Sequence, residues 1–255
     1  MKIVIDTAAR TLTTVDEGAE RTAGLYTKAA FEAISRQWVR VGWSLRYYHN
    51  FSWFGHSILQ MPEDLLRIEE VLYRVRPDVI VETGVFQGGS LLFYATLCEA
   101  LGKGRVIGID QQIPTGLREA MERHVLARRI SLIEGDSVSP EVTGCVAASI
   151  RPEECVLVLL DSCHTRKHVA RELECYSRLV TPGSYIVAAD GIIRDLADVP
   201  GGEAEWLSDN PLTAAAEFAA GHPEFVEEQP PWLFHEGELT ENVTYWPGGW
   251  LRRVE

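Results

Sequence analysis

Five short apolar runs, each followed closely by a carboxylate, recur along the middle of this chain at nearly constant intervals. The carboxylates are separated by 28, 26, 25 and 29 residues, and a helical pattern fills each interval. Strands that alternate with helices in this way predict βαβ units and a parallel, doubly wound sheet, so the fold class is α/β. The five acidic residues are Glu82, Asp110, Asp136, Asp161 and Asp190.

The apolar runs predict buried parallel strands, and the segments between them have helical periodicity. The strands are predicted at 79–81, 106–109, 130–133, 156–160 and 185–188, and the helices at 62–75, 90–101, 115–127, 140–150 and 164–179. A further helix at 211–220 and apolar segments at 225–228 and 243–254 predict an antiparallel addition to this sheet.

The first 60 residues differ from the rest and are predicted to form an N-terminal helical extension, with residues 61–255 as the main domain. Residues 25–45 have the spacing of an amphipathic helix, and aromatic residues follow it up to Phe54. Two interpretations stay open: the segment packs onto the main domain or a second subunit, or it covers a substrate as an aromatic lid.

Charge and hydropathy exclude several classes of protein. The 24 basic and 37 acidic residues give a net charge of −13, which disfavours nucleic-acid binding. No apolar run is long enough to span a membrane, and the N-terminus lacks the apolar core of a signal peptide. We therefore expect a cytoplasmic protein without nucleic-acid or membrane partners, and we expect most of the excess acid to lie on a solvated surface.

The carboxylates are expected to meet at one edge of the sheet, because ligands of open α/β sheets bind outside the carboxyl ends of the strands. Like charges at one edge repel one another unless a ligand offsets them. A cationic ligand, ribose hydroxyls and a metal ion together would do so, and the register of five carboxylates therefore predicts a binding site.

A glycine-rich segment follows the first strand and reads Glu82-Thr83-Gly84-Val85-Phe86-Gln87-Gly88-Gly89-Ser90. Its spacing is neither GxGxxG nor that of a P-loop, so the usual dinucleotide and triphosphate motifs do not fit. Asp110 is placed to accept hydrogen bonds from a ribose diol, and Asp136 and Ser137 lie where an adenine amino group is held.

This arrangement resembles that of the class I S-adenosylmethionine-dependent methyltransferases. The resemblance implies a Rossmann-like fold with an antiparallel C-terminal strand. It also implies a set of residues that bind S-adenosylmethionine: Glu82, Thr83, Gly84, Gly88, Gly89, Ser90, Asp110, Gln111, Asp136, Ser137 and Asp161.

Several motifs narrow the resemblance. They are Ser52-Trp53-Phe54-Gly55, Leu59-Gln60 with Pro62 and Asp64, Asp161-Ser162-Cys163-His164, Ala189-Asp190-Gly191 and the tail from Val243 to Trp250. Together they are similar to the rhamnosyl O-methyltransferase and cephalosporin hydroxylase (CmcI-like) family over about residues 45–254. The resemblance implies that Asp161 and Asp190 bind Mg²⁺. It also implies that Asp161 and His164 are catalytic residues, with His164 as the base. One departure is Ala189, where related macrolide-sugar methyltransferases have a second acid.

The expected function is a metal-assisted O-methyltransferase that acts on a rhamnose-like sugar of a glycosylated natural product, in secondary metabolism such as antibiotic biosynthesis. Two alternatives stay open: cephem C7 hydroxylation or methoxylation, and a non-catalytic subunit that binds an adenosyl ligand. The resemblance also implies a homo-oligomer, a dimer or larger.

Overall fold

The computed structural model describes residues 1–255, with α-helices and β-strands numbered here in chain order. They are β1 (Lys2–Asp6), β2 (Thr11–Asp16), β3 (Ala19–Gly24), α1 (Lys28–Ser44), β4 (Ser52–Trp53), β5 (His56–Ser57), α2 (Pro62–Val75), β6 (Val79–Thr83), α3 (Gly89–Ala100), β7 (Arg105–Asp110), α4 (Thr115–Arg123), β8 (Ile130–Glu134), α5 (Pro140–Ala148), β9 (Val156–Leu160), α6 (Arg166–Tyr176), β10 (Tyr185–Ala188), α7 (Pro211–Gly221), β11 (Phe225–Glu227) and β12 (Trp250–Arg253).

A seven-stranded sheet with the order β11-β12-β10-β9-β6-β7-β8 forms the centre of the molecule. Strands β6 to β10 pair in parallel, and β12 pairs antiparallel with both β10 and β11. The chain moves outward from β6 through β7 to β8 and then returns to the other side of β6. The switch point of the sheet therefore lies between β6 and β9.

The predicted strands and helices of the main domain are all present. Helix α2 has the predicted bounds because Pro62 occupies its first turn, Glu63 and Asp64 favour the positive end of its dipole, and Arg76 ends it in a left-handed conformation. The C-terminal antiparallel strand is confirmed but shorter than predicted, because residues 243–249 form a loop that leads into β12.

The N-terminal extension contains a sheet that the sequence analysis does not predict. Strands β1, β2 and β3 form an antiparallel three-stranded sheet, and Leu12 is its one buried side chain. The sequence signal is weak, because Thr13-Thr14 interrupts the alternation of polarity in β2 and only the glycine of the Glu17-Gly18 turn, where φ is positive at both residues, is typical of a hairpin. The helix predicted at 25–45 is confirmed as α1.

Two hydrophobic clusters fill the two faces of the large sheet. Val39 of α1 and Ile58 belong to the same cluster as residues of α2 and α3, so the extension shares the core of the main domain. The division at residue 60 stays a prediction. No helix combines the length and the apolar character needed to cross a membrane.

Candidate functional site

The backbone of the glycine-rich loop approaches strand β9 very closely at the switch point of the sheet. Gly84 has a φ of +90°, and a Cβ atom added to it would lie 2.0 Å from the carbonyl oxygen of Asp161. Only glycine fits this conformation and this contact without displacing the backbone. The loop is thereby held against the segment that contains Asp161 and His164.

Asp110, at the end of β7, holds the same loop from its other side. Its Oδ2 atom accepts hydrogen bonds from the backbone N–H groups of Val85, at 2.9 Å, and Phe86, at 3.0 Å. Its Oδ1 atom accepts one from the N–H of Gln112 at 3.2 Å. Because each carboxylate oxygen has two lone pairs, Oδ1 keeps acceptor capacity toward a ligand.

Glu82 lies fully buried in β6, beneath the loop. Its Oε2 atom accepts a hydrogen bond from Ser90 Oγ at 2.9 Å, whereas Oε1 has no hydrogen-bond partner. Burial raises the pKa of Glu82 to about 8, although the hydrogen bond from Ser90 opposes the shift. Glu82 therefore supports the site through Ser90, which lines a cavity above it.

Asp161, His164 and Asp190 form the one cluster in the chain that brings three metal-ligating side chains together. One ligand atom from each lies within 4.8 Å of the others, and His164 Nε2 is 3.4 Å from Asp190 Oδ2. Burial and the neighbouring Asp190 raise the pKa of Asp161, and burial raises that of Asp190 while His164 opposes the shift. Two carboxylates this close repel each other when both are ionised, which favours binding of a cation between them.

A cavity of about 390 Å³ opens beside this cluster and has aromatic walls. Trp43 and Trp206 meet edge to face with their ring centroids 5.4 Å apart. Tyr48 and His49 come from the N-terminal extension, and Phe86 comes from the glycine-rich loop. Planar rings next to polar groups suit an acceptor that has both C–H faces and hydroxyl groups.

A second cavity, of about 360 Å³, shares Gly84 and Ser162 with the first. Its walls contain Asp110, Gln111, Asp136 and Ser137, which are predicted to bind the nucleoside part of the cofactor, and it is called the nucleoside cavity below. Asp136 follows β8 by two residues, and its Oδ1 accepts a hydrogen bond from the N–H of Val138 at 3.2 Å. The two cavities together provide space for two ligands that meet at Gly84.

The structure thus brings most of the sequence-predicted residues to the two cavities. Gly84, Ser90, Asp110, Gln111, Asp136, Ser137, Asp161, His164 and Asp190 line them. Glu82, Thr83, Gly88 and Gly89 do not. A Cβ on Gly89 would lie 2.2 Å from the carbonyl oxygen of Ser57, so this glycine permits close packing between α3 and the β4–β5 hairpin.

Three further side chains support the site and were not predicted from the sequence. Gln60 Nε2 donates a hydrogen bond to Asp161 Oδ2 at 3.2 Å. Glu172 accepts hydrogen bonds from the hydroxyls of Ser137 and Ser162. His168 lines the second cavity, and its hydrogen bond to Glu172 raises its pKa. Gln60 stands within a quoted motif, but Glu172 has no sequence signal beyond its polarity in a helix.

The strand order, with one antiparallel strand next to β10, is the fold of the class I methyltransferases. A solved structure of CmcI with Mg and SAM superposes with a TM-score of 0.53 at 21% identity and covers 81% of this chain and 78% of that chain. A putative O-methyltransferase from Klebsiella pneumoniae superposes with a TM-score of 0.51 at 16% identity and covers 78% and 89%.

The family model for "Rhamnosyl O-methyltransferase/CmcI" matches residues 45–254, and the chain belongs to this family. A rhamnosyl O-methyltransferase of Mycobacterium leprae is 28% identical over 156 residues, which are 56% of this chain and 64% of the relative. One of Mycobacterium bovis is 25% identical over 166 residues, with 61% and 64% covered. The chain thus spans about 64% of the length of the curated relatives it matches.

Proposed function

We propose that this protein is an S-adenosylmethionine-dependent O-methyltransferase whose acceptor is a hydroxyl of a rhamnose-like sugar on a natural product. The observation that carries the proposal is the position of the Asp161–His164–Asp190 cluster, in the wall of an aromatic cavity that adjoins the predicted nucleoside cavity. The family relationship supports methyl transfer, and the names of the curated relatives support a rhamnosyl acceptor.

The residues of the second cavity fit S-adenosylmethionine. Gly84 lines this cavity without a side chain, and Asp110, Asp136 and Ser137 offer acceptors for hydroxyl and amino groups. When bound, this cofactor supplies a methyl group on a positively charged sulfur. The carboxylates that converge on Gly84 give the negative potential that such a cation requires.

The carboxylates of Asp161 and Asp190 fit a divalent cation with oxygen preference, such as Mg²⁺, which keeps several of its waters. When bound, the cation would lower the pKa of a hydroxyl that it holds. Ala189 supplies no ligand, so two carboxylates, with Gln60 orienting Asp161, are the protein's contribution.

His164 is positioned to accept the proton from the acceptor hydroxyl. Its Nε2 faces Asp190 at 3.4 Å, and the negative charge of Asp190 stabilises the imidazolium that forms. The acceptor oxygen then bonds to the methyl carbon while the carbon–sulfur bond breaks. The aromatic walls orient the sugar and exclude water from the reacting atoms.

The test combines calorimetry with an activity assay. We expect S-adenosylmethionine and S-adenosylhomocysteine to bind, and a rhamnosylated acceptor to gain one methyl group in the presence of Mg²⁺. A protein that binds neither adenosyl ligand contradicts the proposal. One that binds both but methylates no rhamnoside favours a non-catalytic binding subunit, and one that modifies a cephem instead favours the other alternative.

The cytoplasmic location and the homo-oligomer stay predictions. The oligomer would use an exposed apolar stripe formed by Ile34, Trp38 and Val41 of α1 and by Leu45, which directly follows the helix. We expect Val41→Glu with Leu45→Glu to reduce the mass found by sedimentation equilibrium, whereas Leu66→Glu on the exposed side of α2 leaves it unchanged.

A further inference from the structure

Phe86 adopts a backbone conformation that is unfavourable for an aromatic residue. It stands at the tip of the glycine-rich loop with a φ of +47°, in the left-handed region. Residues with a Cβ rarely occupy this region, and the strain persists only where the surroundings impose it. Here two sets of hydrogen bonds impose it: the Gly88 N–H donates to the carbonyl oxygen of Val85, and Asp110 Oδ2 accepts from the N–H groups of Val85 and Phe86.

The side chain gains little from packing in return for this strain. Phe86 is 54% exposed, and it is not part of either hydrophobic cluster. It lines the aromatic cavity that contains Asp161, His164 and Asp190, and it does not line the nucleoside cavity. A large apolar side chain held out of the core at a reactive site is suited to contact a ligand.

Phe54 provides an internal comparison. It has nearly the same φ, +48°, and it is 63% exposed. It lies at the tip of the β4–β5 hairpin, where Gly55 follows with a φ of +82°, and it does not line the cavity. Both residues therefore lie in tight turns, and at Phe86 the turn is closed by the Gly88 N–H, which donates to the carbonyl oxygen of Val85 at 2.8 Å. Two features distinguish Phe86: Asp110 also holds its N–H, and its side chain lines the cavity.

We infer that Phe86 is a specificity-determining residue that stacks on the acceptor. Asp110 holds the loop so that the ring faces the acceptor cavity. The ring supplies an apolar platform for the C–H face of a sugar, in the cavity that the indole rings of Trp43 and Trp206 also line. This inference rests on the proposed function and goes beyond it by assigning acceptor recognition to the cofactor loop.

The experiment compares Phe86→Gly and Phe86→Tyr with the matched control Phe54→Gly. Glycine relieves the strain at either position, so we expect the Tm of both glycine variants to be no lower than that of the native protein. With para-nitrophenyl α-L-rhamnoside as the acceptor, Phe86→Gly should raise KM about tenfold with little change in kcat. Phe86→Tyr and Phe54→Gly should keep KM within about twofold of the native value.

Binding of S-adenosylhomocysteine, measured by calorimetry, separates the acceptor from the cofactor. Phe86→Gly should bind it as the native protein does. An unchanged KM in Phe86→Gly overturns the inference, and so does an equal loss of affinity for S-adenosylhomocysteine, which would make the ring a cofactor contact. A native protein that neither binds nor methylates the rhamnoside overturns the proposed function, and the inference with it.

Discussion

The carboxylate of Glu172 accepts a hydrogen bond from Ser137 Oγ at 2.6 Å, deep inside the molecule. The same oxygen accepts a second one from Ser162 Oγ at 2.8 Å. Ser137 follows β8 and Ser162 follows β9, so one buried side chain of α6 connects the loops on two sides of the nucleoside cavity. Because both hydroxyl groups donate their protons to Glu172, the lone pairs of the two serine oxygens remain to accept hydrogen bonds.

Glu172→Ala should destabilise the protein strongly, because two hydroxyls lose their acceptor and a cavity forms where the side chain is fully buried. We expect the free energy of unfolding in urea to fall by about 2–4 kcal/mol. The matched control is Glu174→Ala on the same helix, whose side chain is 59% exposed and should change stability by less than about 0.5 kcal/mol. Equal losses of unfolding free energy in Glu172→Ala and Glu174→Ala would show that the hydrogen bonds from Ser137 and Ser162 to Glu172 do not stabilise the protein.

Glu82 should make the stability of the ligand-free protein fall as the pH rises. Its pKa is raised to about 8 in the folded state, so the folded protein binds a proton that the unfolded chain has released. The stabilisation is complete below the unfolded pKa and is lost as the pH rises toward 8, by at most about 1.4 kcal/mol per pH unit.

Glu82→Gln should reduce the slope of this dependence, since the amide imitates the protonated carboxyl. Asp161 and Asp190, whose pKa values are also raised, keep their share of it. The measurement is urea unfolding between pH 5 and pH 8. The exposed Glu153→Gln serves as the control and should keep the native slope. If stability changes with pH in Glu82→Gln as steeply as in the native protein, groups other than Glu82 produce the pH dependence.

Asp190→Asn should separate the metal site from the fold. We expect the ligand-free variant to be at least as stable as the native protein, because one of two adjacent, half-buried carboxylates is neutralised. Asparagine also accepts the left-handed conformation of this residue, where φ is +57°. Added Mg²⁺ should raise the Tm of the native protein and of the exposed-residue control Asp195→Asn, but not that of Asp190→Asn.

His164→Ala should abolish methyl transfer while affinity for S-adenosylhomocysteine is kept, because His164 lines the acceptor cavity and not the nucleoside cavity. General-base catalysis contributes about 10²–10⁴-fold, so kcat should fall by that factor. The control in the turnover assay is His235→Ala, because His235 is exposed and lies outside both cavities, and this variant should keep the native kcat. Full activity in His164→Ala would remove it from the role of the base.

The sheet and the strand-end carboxylates could be predicted from the sequence because both follow from a local pattern with a fixed period. Asp161 and Asp190 meet for that reason, although 29 residues separate them. Long-range partners leave no such pattern. Gln60 reaches Asp161, and Asp64 holds the backbone N–H of Tyr245, across separations that only the folded chain reveals.

The pattern of apolar residues also did not predict the structure where the turns determine it. The three strands β1 to β3 alternate weakly, and their turns use Arg10 and Glu17 with positive φ, residue types that do not mark a turn in a sequence. Phe86 is likewise a turn residue with positive φ whose type does not mark a turn. Its left-handed backbone depends on Asp110, which lies one βα unit further along the chain.

The position of β12 has a consequence for how this protein is made. The strand encoded last in the sheet is inserted between β10 and β11 and not added at an edge. A growing chain that lacks residues 250–253 therefore exposes two open strand edges, which can pair with other chains. The sheet closes only after synthesis has passed Arg253, and a substitution that delays this closure would reduce the yield of folded protein without touching the active site.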